Sequence, residues 1–191
     1  MASLRLRLRQ FGAELHRQVD EAFSALTPHT ADGYRRFLRA HAAALFSLEQ
    51  TLEHHAIERL LADWPTRRRS PALLADLQAL GCAEAMPVPM LALRQVTEGW
   101  CWGAVYVLEG SRLGAQVLVR RVQKEQPAAP VSYLAHGDSA VLWPAFLRQL
   151  EAGAHQCDEQ ELRRGVEDAF ALFLEGARGQ NCPERLQDCP A

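Results

Sequence analysis

The stretch WCWGAVYVLEGSRLGAQVLVRRVQKE, residues 100–125, decides the fold class. It lies within the longest periodic run of the chain, from about Met90 to Lys124, where apolar residues recur at three- and four-residue spacing. That spacing predicts one long helix, and the run carries glycines at Gly99, Gly103, Gly110 and Gly114, with Ala104 and Ala115 beside them. Each interior glycine costs roughly 1 kcal/mol relative to alanine, so four of them need an offsetting gain. Gly110 and Gly114 are one turn apart and strip side chains from a single face. A bare face lets a flat, bulky group approach the backbone and lets the helix bend. Small residues also serve tight helix–helix packing, and the sequence leaves both readings open.

Helical periodicity extends outward in both directions. Apolar positions Leu8, Phe11, Leu15, Val19, Ala22, Phe23 and Leu26 form one stripe, stopped by Thr27-Pro28. Thr30 or Asp32 caps the next helix, which carries Tyr34, Phe37, Leu38, His41, Leu45, Leu48 and Leu52. A shorter piece over 57–64 ends at Pro65. Ser70-Pro71 reads as a cap with proline in the first turn, opening a helix over 72–80 that Gly81 closes. Met86-Pro-Val-Pro89 is a connector, and Pro127 to Pro130 end the long helix. A further helix is expected over 140–150, and a last one, capped by Asp158, reaches about Gly176. Residues 4–9 alternate leucine with arginine, which reads equally as a strand or as the first turns of helix one. The expectation is an all-α, single-domain bundle of about seven helices over 1–178, with a short flexible tail over 179–191.

Composition narrows the function. The chain has 191 residues, 48% of them hydrophobic and 23% charged, which suits one packed domain rather than a disordered segment. A formal net charge of -2 argues against nucleic-acid binding through an overall field. No apolar run approaches the roughly 18 residues of a membrane span, and the N-terminal ten residues lack a secretory apolar core. Cytoplasmic location is expected, and a monomer, because no long exposed apolar stripe is left over. The five cysteines, Cys82, Cys101, Cys157, Cys182 and Cys189, are scattered with no C-x-x-C pair, so neither a disulfide scaffold nor a zinc site follows.

Two further features carry chemistry. His16 lies beside the apolar stripe of helix one, with Gly12 and Ala13 leaving space before it and Asp20 one turn after. A carboxylate at that position accepts a hydrogen bond from the ring nitrogen facing away from a metal and so fixes the tautomer. A half-buried histidine at a helix edge is the plainer reading. Arg9, two turns before His16, Tyr106, one turn before Gly110, and Arg148 form a second set. Together they would hold carboxylates at the edge of a ligand, although each alone reads as solvated surface.

These pieces resemble one family. Residues 8–20 (LRQFGAELHRQVD) are similar to the proximal helix of heme oxygenases, and residues 103–116 (GAVYVLEGSRLGAQ) resemble their distal helix, especially in the bacterial, biliverdin-producing branch. Residues 32–41 resemble the second helix. Residues 133–150, with His136-Gly-Asp and Trp143-Pro-Ala-Phe, resemble the region before the last helix. The likeness runs over about residues 4–175. It implies that His16 is the iron ligand, that Asp20 supports it, and that Gly110, Ser111 and Gly114 line the catalytic face over the heme. It implies that Arg9, Tyr106 and Arg148 contact the heme propionates. Animal enzymes carry an aspartate where this chain has Ser111, so proton delivery is expected through water held by backbone carbonyls and Ser111. Glu109 and Arg112 are read as a surface ion pair.

The resemblance implies heme b as both cofactor and substrate, O2 as co-substrate, and biliverdin, CO and ferrous iron as products. No nucleotide-binding glycine loop is present, so electrons come from a ferredoxin, flavodoxin or reductase. Arg67-Arg68-Arg69 or Arg120-Arg121-Lys124 would receive its acidic face. A bilin-binding photoreceptor is an expected acceptor of product. The alternatives are a heme-binding sensor, carrier or store that does not degrade heme, to which Ser111 leans, and an enzyme of the same architecture such as the thiaminase-like group. Cys182-Pro183 and Cys189-Pro190 resemble Cys-Pro heme-responsive motifs.

Overall fold

The computed structural model describes residues 3–82 and 96–181. These contain seven α-helices, two 3-10 turns (Ile57–Arg59 and Ala154–Gln156) and no strand. The helices are α1 (Leu4–Ser24), α2 (Ala31–His54), the single turn α3 (Trp64–Arg67), α4 (Ser70–Ala79), α5 (Glu98–Glu125), α6 (Ser139–Gly153) and α7 (Glu159–Asn181). The all-α expectation holds. Residues 4–9 are helical because their burial follows a period of four: Leu4 and Leu8 are buried while Leu6 is 42% exposed. The Ser3 hydroxyl accepts the Leu6 N–H and caps that first turn.

Capping fixes three other helix starts. Thr30 accepts from the Gly33 N–H, Thr97 from the Trp100 N–H and Asp138 from the Ala140 N–H. Four boundaries differ from expectation. The long helix begins at Glu98 after the Thr97 cap, not near Met90. Pro65 opens α3 instead of closing a helix over 57–64, a place where proline's missing N–H breaks no helical bond. Ser70 is the first residue of α4 and its hydroxyl goes to Glu49, so it is not the cap. α7 runs past Gly176, whose lack of a side chain serves packing: a Cβ there would lie 2.4 Å from the Ala40 carbonyl oxygen of α2. The connector Met86-Pro-Val-Pro89, the start of the long periodic run and both tail cysteines lie outside the described residues.

α7 is the hub of the bundle, packed against α5, α2 and α1. Its crossing with α5 is backbone to backbone. A Cβ on Gly103 would stand 2.1 Å from the Leu162 carbonyl oxygen, and one on Gly165 2.1 Å from that of Trp100. Trp64, Trp100, Trp102 and Phe146 fill the surrounding core. α1 and α5 both lie on α7 but do not pack extensively against one another. Among the described residues, that leaves the outward side of α1 and one side of α5 uncovered.

Candidate active site

The four glycines of α5 divide into two pairs. Gly99 and Gly103 are packing glycines; a Cβ at Gly99 would come within 2.9 Å of Glu161 Cβ on α7. Among the described residues, the only neighbours of such a Cβ at Gly110 are Trp143 ring atoms at 3.8 and 3.9 Å, and at Gly114 nothing lies within 4 Å. Helix packing therefore accounts for the first pair and not for the second. The bare face at Gly110 and Gly114 is an open cradle.

His16 projects from the exposed side of α1, its side chain 62% exposed. Its Nδ1 stands 2.9 Å from Asp20 Oδ2, which places the ring proton on Nδ1 and leaves the Nε2 lone pair free. The ring meets Phe170 of α7 edge-on, with centroids 6.1 Å apart. Gly12 does not open space for a ligand, as its sequence position implied. It faces α7, where a Cβ would lie 3.2 Å from Phe170 Cε2 and 3.4 Å from Val166 Cγ1.

A cationic edge joins α1, α5 and α6. Burial pushes the Tyr106 hydroxyl above its ordinary pKa, and the nearby charges of Arg5 and Arg9 oppose that rise. The Tyr106 ring lies 5.7 Å from that of Trp143. Glu151 Oε1 accepts the Arg5 backbone N–H at 3.0 Å, pinning the start of α1 to α6. Arg148 is exposed and stands one turn before Glu151, on the side of α6 turned toward α1.

Behind the bare face lies a buried ionic network. Glu109 (1% exposed) accepts from Arg67 Nη1 at 2.6 Å and from Arg112 Nε at 2.9 Å. Arg67 also pairs with Asp63 Oδ2 at 2.7 Å and holds that carboxyl below its ordinary pKa. Arg69 Nη2 donates to the Leu108 carbonyl and to Ser111 Oγ, both at 2.9 Å, while its guanidinium lies over the Tyr133 ring. Ser111 in turn donates its own proton to the Leu108 carbonyl at 2.7 Å, so its hydroxyl has only acceptor capacity left. Glu49 fixes this corner by accepting the N–H groups of Arg69 and Ser70.

Two expectations are thereby corrected. Glu109 and Arg112 are a buried pair, 1% and 3% exposed, not a surface one. Arg67 and Arg69 are 1% and 3% exposed, and Arg68 is paired with Glu53, so this triplet cannot receive a partner's acidic face. Arg120, Arg121 and Lys124 are exposed on α5.

Comparison with known proteins decides the family. The chain is 38% identical over 150 residues to a heme oxygenase of Xanthomonas campestris pv. campestris, an alignment covering 75% of this chain and 87% of that one. The chain belongs to the heme oxygenase family. It is also 27% identical over 177 residues to heme oxygenase PigA of Pseudomonas aeruginosa, covering 87% of each. Among solved structures, the NO- and CO-bound heme oxygenase of Neisseria meningitidis superposes with a TM-score of 0.77 at 22% identity, covering 94% of this chain and 92% of that one. That likeness shows the shared all-α fold. No family model matches the chain. The relatives do not favour the reading as a non-catalytic heme-binding protein.

For this heme oxygenase, reading the sequence missed Arg5, Arg69, Glu49 and the surroundings of His41. Glu49 occurs in the same apolar stripe as Leu45 and Leu52, a position that demands a buried donor set. His41 is ringed by Phe23, Phe37, Tyr133 and Phe173, and its Nδ1 lies 3.0 Å from the Phe37 carbonyl. Burial lowers its pKa from 6.5 to about 3, so it is neutral at any working pH.

Proposed function

We propose that the protein binds heme b against the open face of α5 and ligates the iron through His16 Nε2. As a heme oxygenase it is an enzyme that degrades heme. The observation that carries the site is the division of the glycines: among the described residues, Gly99 and Gly103 meet α7 or the turn before it, whereas Gly110 meets one ring edge and Gly114 meets nothing. An uncovered backbone stripe suits a flat macrocycle, and a half-exposed histidine with a fixed tautomer suits a metal. Bound heme supplies the iron at which O2 is activated and is itself the substrate, opened to biliverdin with release of CO and ferrous iron.

Each residue has a separate task. Asp20 keeps the His16 proton on Nδ1 and the lone pair on Nε2. Gly110 and Gly114 admit the ring edge and leave room above it for a small gas molecule and water. Ser111 has its proton committed to Leu108, so protons reach this side through water that Ser111 Oγ helps to hold as an acceptor. Arg9, Tyr106 and Arg148, with Arg5 beside them, hold the propionates and fix the ring's rotation. Electrons come from a ferredoxin, flavodoxin or reductase, whose acidic face meets Arg120, Arg121 and Lys124. We place the protein in the cytoplasm as a monomer. Among the described residues no helix is long and apolar enough to cross a membrane.

A hemin titration followed by absorption tests the ligand assignment. The parent protein is expected to give a Soret band saturating at one heme per chain, and His16→Ala to lose the ferric spectrum of the ligated state. An unchanged ferric spectrum in His16→Ala would overturn it.

A further inference from the structure

On the side of α5 turned away from Gly110 and Gly114, a groove of about 240 Å3 runs between the second half of that helix, the loop at 134–137 and the start of α6. Its α5 wall carries Arg112, Gln116 and Arg120 one turn apart with Val119 beside them, and Leu134 and Ala135 add apolar surface from the loop. His136, Gly137 and Ser139 face it across the groove. A water's share of liquid volume is roughly 30 Å3, so the space suits a molecule of several heavy atoms.

The lining decides the chemistry of what fits. Arg112 is only 3% exposed, and a guanidinium has five N–H groups. Nε is committed to Glu109, Nη1 donates to the His136 carbonyl at 2.9 Å, and Nη2 donates to the Arg67 carbonyl. His136 Nδ1 is a further partner of Nη1 at 3.4 Å, so among the described residues the second Nη2 N–H is the one donor of the guanidinium left without a partner. Ser139 Oγ accepts from Gln116 Nε2 at 2.9 Å, which frees the serine proton to donate. Arg120 adds a second, exposed guanidinium at the rim. Gln116's amide oxygen is the side-chain acceptor left over. The acids nearby are occupied: Glu109 by Arg67 and Arg112, and Asp138 Oδ1 by the Ala140 N–H of the α6 cap. Burial, and then the charges of Arg112 and Arg69, keep His136 below its ordinary pKa.

We propose that this groove binds a small carboxylate- or phosphate-bearing anion, held by Arg112 and Arg120 with Ser139 donating. Guanidinium groups pair with either anion through parallel N–H bonds. The site is separate from the open face of α5. Arg112 directly follows Ser111 and shares Glu109 with Arg67, so an anion here draws on the network that backs that face. This last link rests on the proposed heme site; the binding itself does not.

Calorimetric titration of the heme-free protein, at constant ionic strength, tests the site with inorganic phosphate in one arm and succinate in the other. Saturable one-to-one binding of either supports it, and the arm that binds more tightly names the anion. Arg120→Gln removes an exposed side chain without disturbing the core and is expected to weaken binding about fivefold. Arg121→Gln carries the same charge change outside the groove and is expected to leave binding unchanged. Absence of saturable binding at millimolar concentrations of both anions overturns the proposal. So does equal weakening by Arg120→Gln and Arg121→Gln, which would mean a diffuse field only. Neither failure bears on hemin binding, which is read separately by its Soret band.

Discussion

Alanine at position 114 is the smallest change that separates a glycine kept for a ligand from one kept for packing. An interior helical glycine is roughly 0.8–1.0 kcal/mol less favourable than alanine. At Gly114 the added Cβ meets nothing within 4 Å among the described residues, so no clash with them offsets that gain. Heme-free Gly114→Ala is expected to be about 1 kcal/mol more stable, raising Tm by roughly 2–4 °C for a chain of this size. The same methyl stands on the face where the macrocycle is to lie, and overpacking of that kind costs roughly 1–3 kcal/mol. Hemin affinity should therefore fall about five- to a hundredfold. Gly103→Ala is the contrast, because its Cβ would stand 2.1 Å from the Leu162 carbonyl oxygen, a backbone atom that cannot turn aside. That variant should lose about 3 kcal/mol or more. Thermal unfolding followed by circular dichroism, with hemin titration of each variant, gives both quantities. A fall in Tm for Gly114→Ala comparable to that of Gly103→Ala would refute the division of the glycines. So would a stabilised variant that binds hemin as tightly as the parent.

Other perturbations act on the buried charges. Glu109→Gln leaves Arg67 and Arg112 without their shared carboxylate, and breaking a buried pair costs roughly 3–5 kcal/mol; urea unfolding should show a midpoint lowered accordingly. His41 titrates near 6.5 when unfolded but near 3 when folded, so between these values the unfolded chain binds the extra proton. Its contribution is intact above pH 6.5 and is lost as pH falls toward 3, by at most about 1.4 kcal/mol per pH unit. Urea unfolding across that range should show a shallower pH dependence for His41→Phe than for the parent, and equal slopes would refute the assignment.

Much of the fold was legible because caps and apolar stripes are local signals. Thr30 stands where the chain changes periodicity and accepts the Gly33 N–H that its position requires. The sequence resolved less well which polar residues are buried. Arg67-Arg68-Arg69 reads as a basic patch, yet the backbone between α3 and α4 turns the first and third inward and only Arg68 outward. The hint lay on other helices. Glu49, Asp76 and Glu109 occur within apolar runs, and each needs donors from elsewhere in the chain. Asp76, for example, accepts the backbone N–H groups of Ser132 and Tyr133. Arg67 is 42 residues from Glu109 and Tyr133 is 57 from Asp76, beyond the reach of any local pattern. The glycines of α5 show the same limit. Their spacing marks one helix with bare surface, but only the position of α7 tells which pair is covered.

The central claim is that the open face of α5 and His16 form a site where heme is degraded and not merely held. Adding ascorbate in air to the purified one-to-one hemin complex, and recording absorption through time, tests it most directly. The account predicts loss of the Soret band with growth of a bile-pigment band. A Soret band that persists through reduction and exposure to oxygen would contradict it.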